Sequence, residues 1–222
     1  VGGSLSALMH GIILHRLEWS VRILELSRTD TPTSHMAGVC LGSDVLRFLA
    51  RFDGVSHIPL GIQSVQLQSL SWKGEPHPFL KAKRVMTSWD ALYHRLRANF
   101  DSFASVYVPH PPTLPSSAVE HAEDARKRAK YETGKEVIDV CESATGRIIV
   151  RFKDHSRGGQ ESHCVGDLVL GADGPNSTVR NIFLHQTPIQ RKYAGYVAWR
   201  GVIPEDQVST FSNQSGYQSQ VQ

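Results

Sequence analysis

Asp167-Leu168-Val169-Leu170-Gly171-Ala172-Asp173-Gly174-Pro175-Asn176-Ser177-Thr178-Val179-Arg180 reads as a buried strand, a glycine-bounded turn and the start of a helix. Leu168, Val169 and Leu170 form the unbroken apolar run expected of a strand covered on both faces, as in a parallel sheet between helices. Gly171 and Gly174 bracket Asp173, which lets the backbone turn sharply and approach a ligand. Pro175 is pre-set for a first helical turn. An acid and free backbone amides are thus expected at one strand's carboxyl end, the usual place for a nucleotide in an open α/β sheet.

The amino-terminal residues carry a second turn of this kind. Val1-Gly2-Gly3-Ser4 leads into a helical run in which Leu5, Leu8, Met9, Ile12 and Ile13 recur at spacings of three and four. A short strand, Val21-Arg22-Ile23-Leu24, follows and ends at Glu25. Turn, helix, strand and acid within this span form the second part of a dinucleotide-binding βαβ unit. Glycines admit the pyrophosphate to the backbone, and a carboxylate about 20 residues on accepts hydrogen bonds from ribose hydroxyls. Gly2 and Ala7 fill the outer positions of G-x-G-x-x-G/A, but Ser4 replaces the middle glycine. Taken alone, a glycine turn capping an amphipathic helix explains the same residues. Glu18 stands where a helix-ending glycine would be comfortable. The strand that leads into such a turn is expected upstream of Val1.

Between the two turns, a helix is predicted over 42–52, stopped by Asp53-Gly54, and a strand over 60–72. A second helix is predicted over 88–100, with Leu92, Tyr93, Leu96 and Phe100 on its apolar face and Arg95 and Arg97 elsewhere. Ala104 to Val108 reads as a short strand, residues 110–116 as a proline-rich connection, and 120–130 as a solvated charged face. Three strands in close succession, 137–141, 147–153 and one from Glu161, predict a β-meander. Tyr193 to Ile203 is an aromatic, β-branched strand ended by Pro204. Residues 209–222 are polar and offer little to bury.

Composition narrows the function classes. The 222 residues are 40% hydrophobic and 20% charged with a net charge of +3, an ordinary globular balance with scattered lysines and arginines. Nucleic-acid binding is not indicated. Cys40, Cys141 and Cys164 are widely spaced, which suggests neither a disulfide framework nor a zinc site, and buried reduced thiols of a cytoplasmic protein are expected. His10 and His15 read as ordinary histidines, so no metal site is expected. No apolar run approaches the ~20 residues of a membrane span.

Three stretches, Val1–Glu25, Met86–Phe100 and Asp167–Arg180 continuing to Ile203, resemble the FAD-dependent aromatic-ring monooxygenases, in particular their 2,6-dihydroxypyridine hydroxylase-like branch. The Gly-Ala-Asp-Gly-x-x-Ser-x-Val-Arg segment carries most of the resemblance. It implies an α/β fold: a three-layer, Rossmann-like FAD/NAD(P)-binding domain over 1–185 that includes a β-meander and some substrate-domain strand near 60–72, then the start of a mixed-sheet substrate domain over 186–222. It implies FAD as cofactor, NADH or NADPH as co-substrate and a small aromatic substrate. By the same resemblance, Gly2, Gly3 and Ser4, with Ala7 in the third motif position, lie along the pyrophosphate. Glu25 holds the adenosine ribose, and Asp173 with Gly174 sits near the ribityl and pyrophosphate side. Arg180 braces the Asp173 turn, and Arg95 or Arg97 makes a further cofactor contact. Leu26 follows Glu25 where the family often has arginine. Tyr196, Trp199 and Arg200 are the only substrate-pocket neighbours implied.

Family members carry a later Gly-Asp segment over the flavin that does not occur here, so the chain is expected to be partial and to hold FAD weakly by itself. Two alternatives stay open: a non-catalytic piece with a binding or structural role, and a nicotinamide-only Rossmann dehydrogenase, which leaves the Asp173 motif unexplained.

Overall fold

The computed structural model describes residues 1–29, 37–112, 128–184 and 192–197. Helix α1 (Leu5–Arg16) leads to strand β1 (Val21–Leu24), then β2 (Gly38–Leu41), α2 (Ser43–Phe52), β3 (Ile62–Leu70), β4 (Pro76–Ser88) and α3 (Trp89–Asp101). After it come β5 (Ala129–Glu132), β6 (Lys135–Glu142), β7 (Ile148–Asp154), β8 (Gln160–Gly166) and a short α4 (Thr178–Phe183).

Strand β1 is the middle of three layers. It pairs in parallel with β5, Val21 opposite Ala129 through Leu24 opposite Glu132. Successive side chains of a strand point to opposite faces. Ile23 accordingly joins the cluster of Leu8, Ile12, Leu96 and Phe100 from α1 and α3. Leu24 joins Val137, Val140, Val150 and Phe152 of the meander and Val179 of α4. Leu8, Leu96 and Phe100 are fully buried, each worth roughly 1.5–3 kcal/mol of burial. Gly11 lets the helices meet, since a β-carbon there would lie 2.9 Å from the Phe100 ring.

The meander is the antiparallel sheet β6-β7-β8, as the three closely spaced apolar runs predict. Lys135 and Asp154 link its first two strands at 2.6 Å. That hydrogen bond, with those from Ser156, holds the Asp154 carboxyl at about 2. The other sheet, β2-β4-β3, is antiparallel and pairs the predicted 60–72 strand with a long partner, β4.

Several expectations require correction. Residues 168–170 are not a ladder strand: β8 ends at Gly166, and Leu168 and Leu170 are 51% and 38% exposed. At the end of this stretch the Val1 nitrogen donates to the Leu170 carbonyl at 2.7 Å and the Ala172 amide to the Val1 carbonyl at 2.8 Å. Pro175 stands in a turn ahead of α4, whose N-cap is Ser177. Residues 104–108 form a reciprocal turn, Ser105 and Val108 exchanging backbone hydrogen bonds, with Val106 90% exposed. Residues 193–197 are exposed and not in a strand, and 198–203, 209–222 and most of 110–127 lie outside the described residues. Cys40 and Cys141 are exposed and only Cys164 is half-buried, because their strands turn those positions outward. Arg95 and Arg97, off the apolar face of α3, are buried as well, since the helix is buried nearly all round. Glu18 does adopt the left-handed conformation, at φ 65°, where a glycine would be unstrained.

Candidate functional site

Three loops meet where α1 begins. Gly2 has φ +87°, and a β-carbon on it would lie 2.6 Å from the Ala172 carbonyl carbon and 2.8 Å from Asp173 Cα. Only glycine permits this approach. Gly3 is packed as closely on its other side, against the Tyr131 hydroxyl and Glu25 Cβ. The amino-terminal turn, the acid after β1 and the 172–174 turn are therefore one constellation.

Backbone hydrogen bonds show what each residue offers. The Gly2 amide donates to the Leu24 carbonyl at 2.9 Å, and the Gly3 amide to Glu25 Oε2 at 2.6 Å. Both glycine amides are engaged within the fold, so what these residues contribute is the absence of a side chain. Ser4 is the N-cap of α1, it is exposed, and its hydroxyl caps nothing. The first-turn amides of α1 are those left without intrahelical partners, and the helix dipole adds positive potential there. An anion is the natural complement of this end. Ala7 is buried among Leu8, Ile12 and Ile23, where a small residue permits close helix–strand packing.

Glu25 is held by two amides, Gly3 on Oε2 and Ser27 on Oε1 at 2.7 Å. Each carboxylate oxygen keeps acceptor capacity for a hydroxyl group. Leu26, in the position where arginine was expected, is 59% exposed.

Asp173 works mainly within its own turn. Ser177 Oγ donates to Oδ1 at 2.5 Å and the Val179 amide to Oδ2 at 3.1 Å, which ties the carboxylate to the start of α4. Burial pushes its pKa up, but these donors outweigh it and hold the carboxyl below its usual range. Gly174, at φ +75°, has open space where a β-carbon would stand. The Arg180 guanidinium donates to the Pro175 carbonyl at 2.6 Å and so closes the same turn.

Arg95 lies elsewhere. It is 2% exposed and donates to Asp53 Oδ2 at 2.8 Å and to the Val55 and Ile58 carbonyls at 2.5 Å each, bracing the loop after α2. Arg97 points into a buried aromatic cluster, 3.7 Å above the Tyr131 ring and bonded to Tyr93 and Asp101. Tyr131 donates to the Gly3 carbonyl at 2.8 Å. Nothing in the sequence singles out Tyr131, a lone aromatic at the edge of a charged run with no spacing that links it to Gly3.

Beside the turn runs a cavity of about 320 Å³. Val21 and Ile23 of β1 line one side of it and Leu168 and Val169 the other. Val1 lines it too, bonded to Leu170 and Ala172, and the neighbouring Gly2 amide donates to Leu24.

No protein-family model matches the chain. Over 91 residues it is 40% identical to an FAD-dependent urate hydroxylase of Klebsiella pneumoniae, covering 38% of this chain and 22% of that protein. Over 211 residues it is 25% identical to the 2,6-dihydroxypyridine 3-monooxygenase of Paenarthrobacter nicotinovorans, covering 94% of this chain and 43% of that one. The solved structure of 2,6-dihydroxypyridine-3-hydroxylase from Arthrobacter nicotinovorans superposes with a TM-score of 0.65 at 24% identity, over 95% of this chain and 45% of that chain. The chain has the fold of the FAD-dependent monooxygenases. A p-nitrophenol 4-monooxygenase of Pseudomonas putida shares this monooxygenase fold with a TM-score of 0.60 at 12% identity, over 82% of this chain and 42% of that one. The chain spans less than half the length of these relatives. In the monooxygenase fold described here no helix among the described residues is long and apolar enough to cross a membrane.

Proposed function

We propose that the chain is the FAD-binding part of a monooxygenase that hydroxylates an electron-rich aromatic or heteroaromatic ring with NAD(P)H and O2. The observation that carries this is the convergence of the Gly2–Ser4 turn, the Glu25 carboxylate and the 172–174 turn at the start of α1. A nicotinamide-only dehydrogenase accounts for the first two of these and gives the third no task.

The donor set fits the cofactor. Ser4 and the first amides of α1 would take the pyrophosphate, and Glu25, already aimed by Gly3 and Ser27, would accept from the ribose hydroxyls. The 172–174 turn, stiffened by Ser177 and Arg180, would serve the ribityl and pyrophosphate side of the cofactor. When bound, FAD supplies the redox and oxygen-transfer chemistry, while the protein binds, orients and excludes water. Glu25 supplies acceptor oxygens aimed by two backbone amides, and Asp173, held ionised by its donors, keeps the turn rigid. The small aromatic substrate and the nicotinamide are co-substrates of the whole monooxygenase.

The test is NAD(P)H oxidation and O2 uptake by the full-length protein, assayed with hydroxylated pyridines and phenols. Stimulation by such a compound, lost in Glu25→Ala with weakened flavin retention, is expected. No stimulation by any of them would overturn the hydroxylase assignment. These 222 residues alone are expected to retain FAD weakly, and near-stoichiometric flavin on the purified chain would refute that expectation.

A further inference from the structure

Tyr131, on the strand beside β1, ends a hydrogen-bond chain that begins in α3. Arg97 is fixed by Asp101, with Nη2 at 2.8 Å and Nε at 3.1 Å from Oδ2. Its Nη1 donates to the Tyr93 hydroxyl at 3.0 Å. Tyr93 in turn meets the Tyr131 hydroxyl at 3.1 Å, and Tyr131 the Gly3 carbonyl at 2.8 Å. Chemistry sets the direction of this chain. A guanidinium only donates and a carbonyl only accepts, and each phenol has a single proton. Tyr93 must therefore accept from Arg97 and donate to Tyr131, and Tyr131 must give its proton to Gly3. Burial, then the Tyr93 hydroxyl, pushes the ionisation of Tyr131 well above its ordinary value, so the phenol stays a donor.

We propose that Tyr131 is a positioning residue for the dinucleotide turn, and that Tyr93 and Arg97 hold its hydroxyl in the donating direction. This rests on the nucleotide role proposed above for Gly2–Ser4. The Gly3–Ser4 peptide is planar and trans, so its C=O and N–H point in opposite directions. Tyr131 draws the carbonyl towards the buried side, which aims the Ser4 N–H away from the core, where Ser4 itself is exposed. The same bond seats Gly3 so that its own amide stays on Glu25. Gly3 has no side chain to resist rotation of this peptide. With the hydroxyl removed, the peptide is free to flip, and both the pyrophosphate donor and the ribose acceptor lose their aim. Arg97 thus affects the site from a distance, with no contact to the ligand.

The experiment uses the 15N-labelled chain with ADP as probe, reading the ADP Kd by calorimetry, the exchange rate of the Gly3 amide and Tm. Tyr131→Phe is expected to weaken ADP about tenfold and to speed Gly3 exchange about tenfold, with Leu96 exchange unchanged. Tyr93→Phe is expected to fall between the two. Val108→Ala, a cavity in the separate cluster that Val108 forms with Val55 and Ala98, is expected to lower Tm while leaving Kd and Gly3 exchange as they were. Wild-type Kd and Gly3 exchange in Tyr131→Phe overturn the proposal, as does a Kd change that Val108→Ala reproduces. If the wild-type chain takes no ADP, the nucleotide role fails separately. Gly3 exchange then decides alone: faster exchange in Tyr131→Phe supports the positioning role, and unchanged exchange refutes it.

Discussion

Arg95→Met separates a bracing role for this arginine from a ligand contact. The guanidinium and the Asp53 carboxylate are 3% and 7% exposed and lie 2.8 Å apart. Asp53 also accepts from Asn99 Nδ2 at 2.8 Å and from the Val55 amide at 2.9 Å, and Arg95 further satisfies the Val55 and Ile58 carbonyls. Methionine keeps most of the volume but leaves a buried carboxylate without its counter-charge. Breaking such a pair from one side costs about 3–5 kcal/mol. At about 2–4 °C per kcal/mol for a domain of this size, Tm falls by roughly 6–20 °C. Urea and thermal unfolding followed by circular dichroism measure the loss, with ADP affinity measured in parallel on the folded protein. Adding Asp53→Asn removes the orphaned charge, so the double variant is expected to recover part of the stability lost by Arg95→Met alone. A cost below about 1 kcal/mol would refute the bracing account. So would an unchanged Tm accompanied by weakened nucleotide binding, which would return Arg95 to the cofactor.

Gly2→Ala places a side chain at φ +87° against the Ala172 carbonyl, so a stability loss of at least about 1–3 kcal/mol is expected together with weaker ADP binding, both readable by urea titration and calorimetry. His94 is 8% exposed, and its Nδ1 has no hydrogen-bond partner among the described residues. Burial lowers its pKa below 6.5, Asp90 opposing and Arg97 adding to the shift. The unfolded state therefore gains the proton first as pH falls, and His94 costs stability progressively from about 6.5 down to its folded value. His94→Gln should flatten the Tm profile across that window, and an unaltered profile would contradict the assignment. Finally, an apolar β-branched segment such as Val-Ile-Val-Val fused ahead of Val1 should enter the cavity between Val21–Ile23 and Leu168–Val169, adding backbone hydrogen bonds on both walls. A rise in Tm of several degrees is expected, and a proline-containing segment of the same length should give none.

Local pattern alone specified much of this molecule. The spacing of Leu5, Leu8 and Ile12 made α1, the apolar run at 21–24 made β1, and alternating apolar residues made the meander, because each depends on neighbours close in sequence. That the Gly2 turn and Glu25 come together was also legible, since turn, helix, strand and acid follow the spacing of a βαβ unit. Tertiary structure decided what the chain does with its buried polar groups. Arg95 and Arg97 lie two apart on one helix, yet one braces the 53–58 loop and the other supports Tyr131 beneath Gly3, because Asp53 and Tyr131 reach them from distant parts of the chain. Asp173 looked like a ligand residue and is first a clamp on α4. Residues 168–170 have a strand's composition, but a strand is defined by hydrogen-bonded partners. Leu170 is bonded to Val1, and Leu168, Val169 and Leu170 line a cavity, so the apolar side chains of this stretch remain partly exposed.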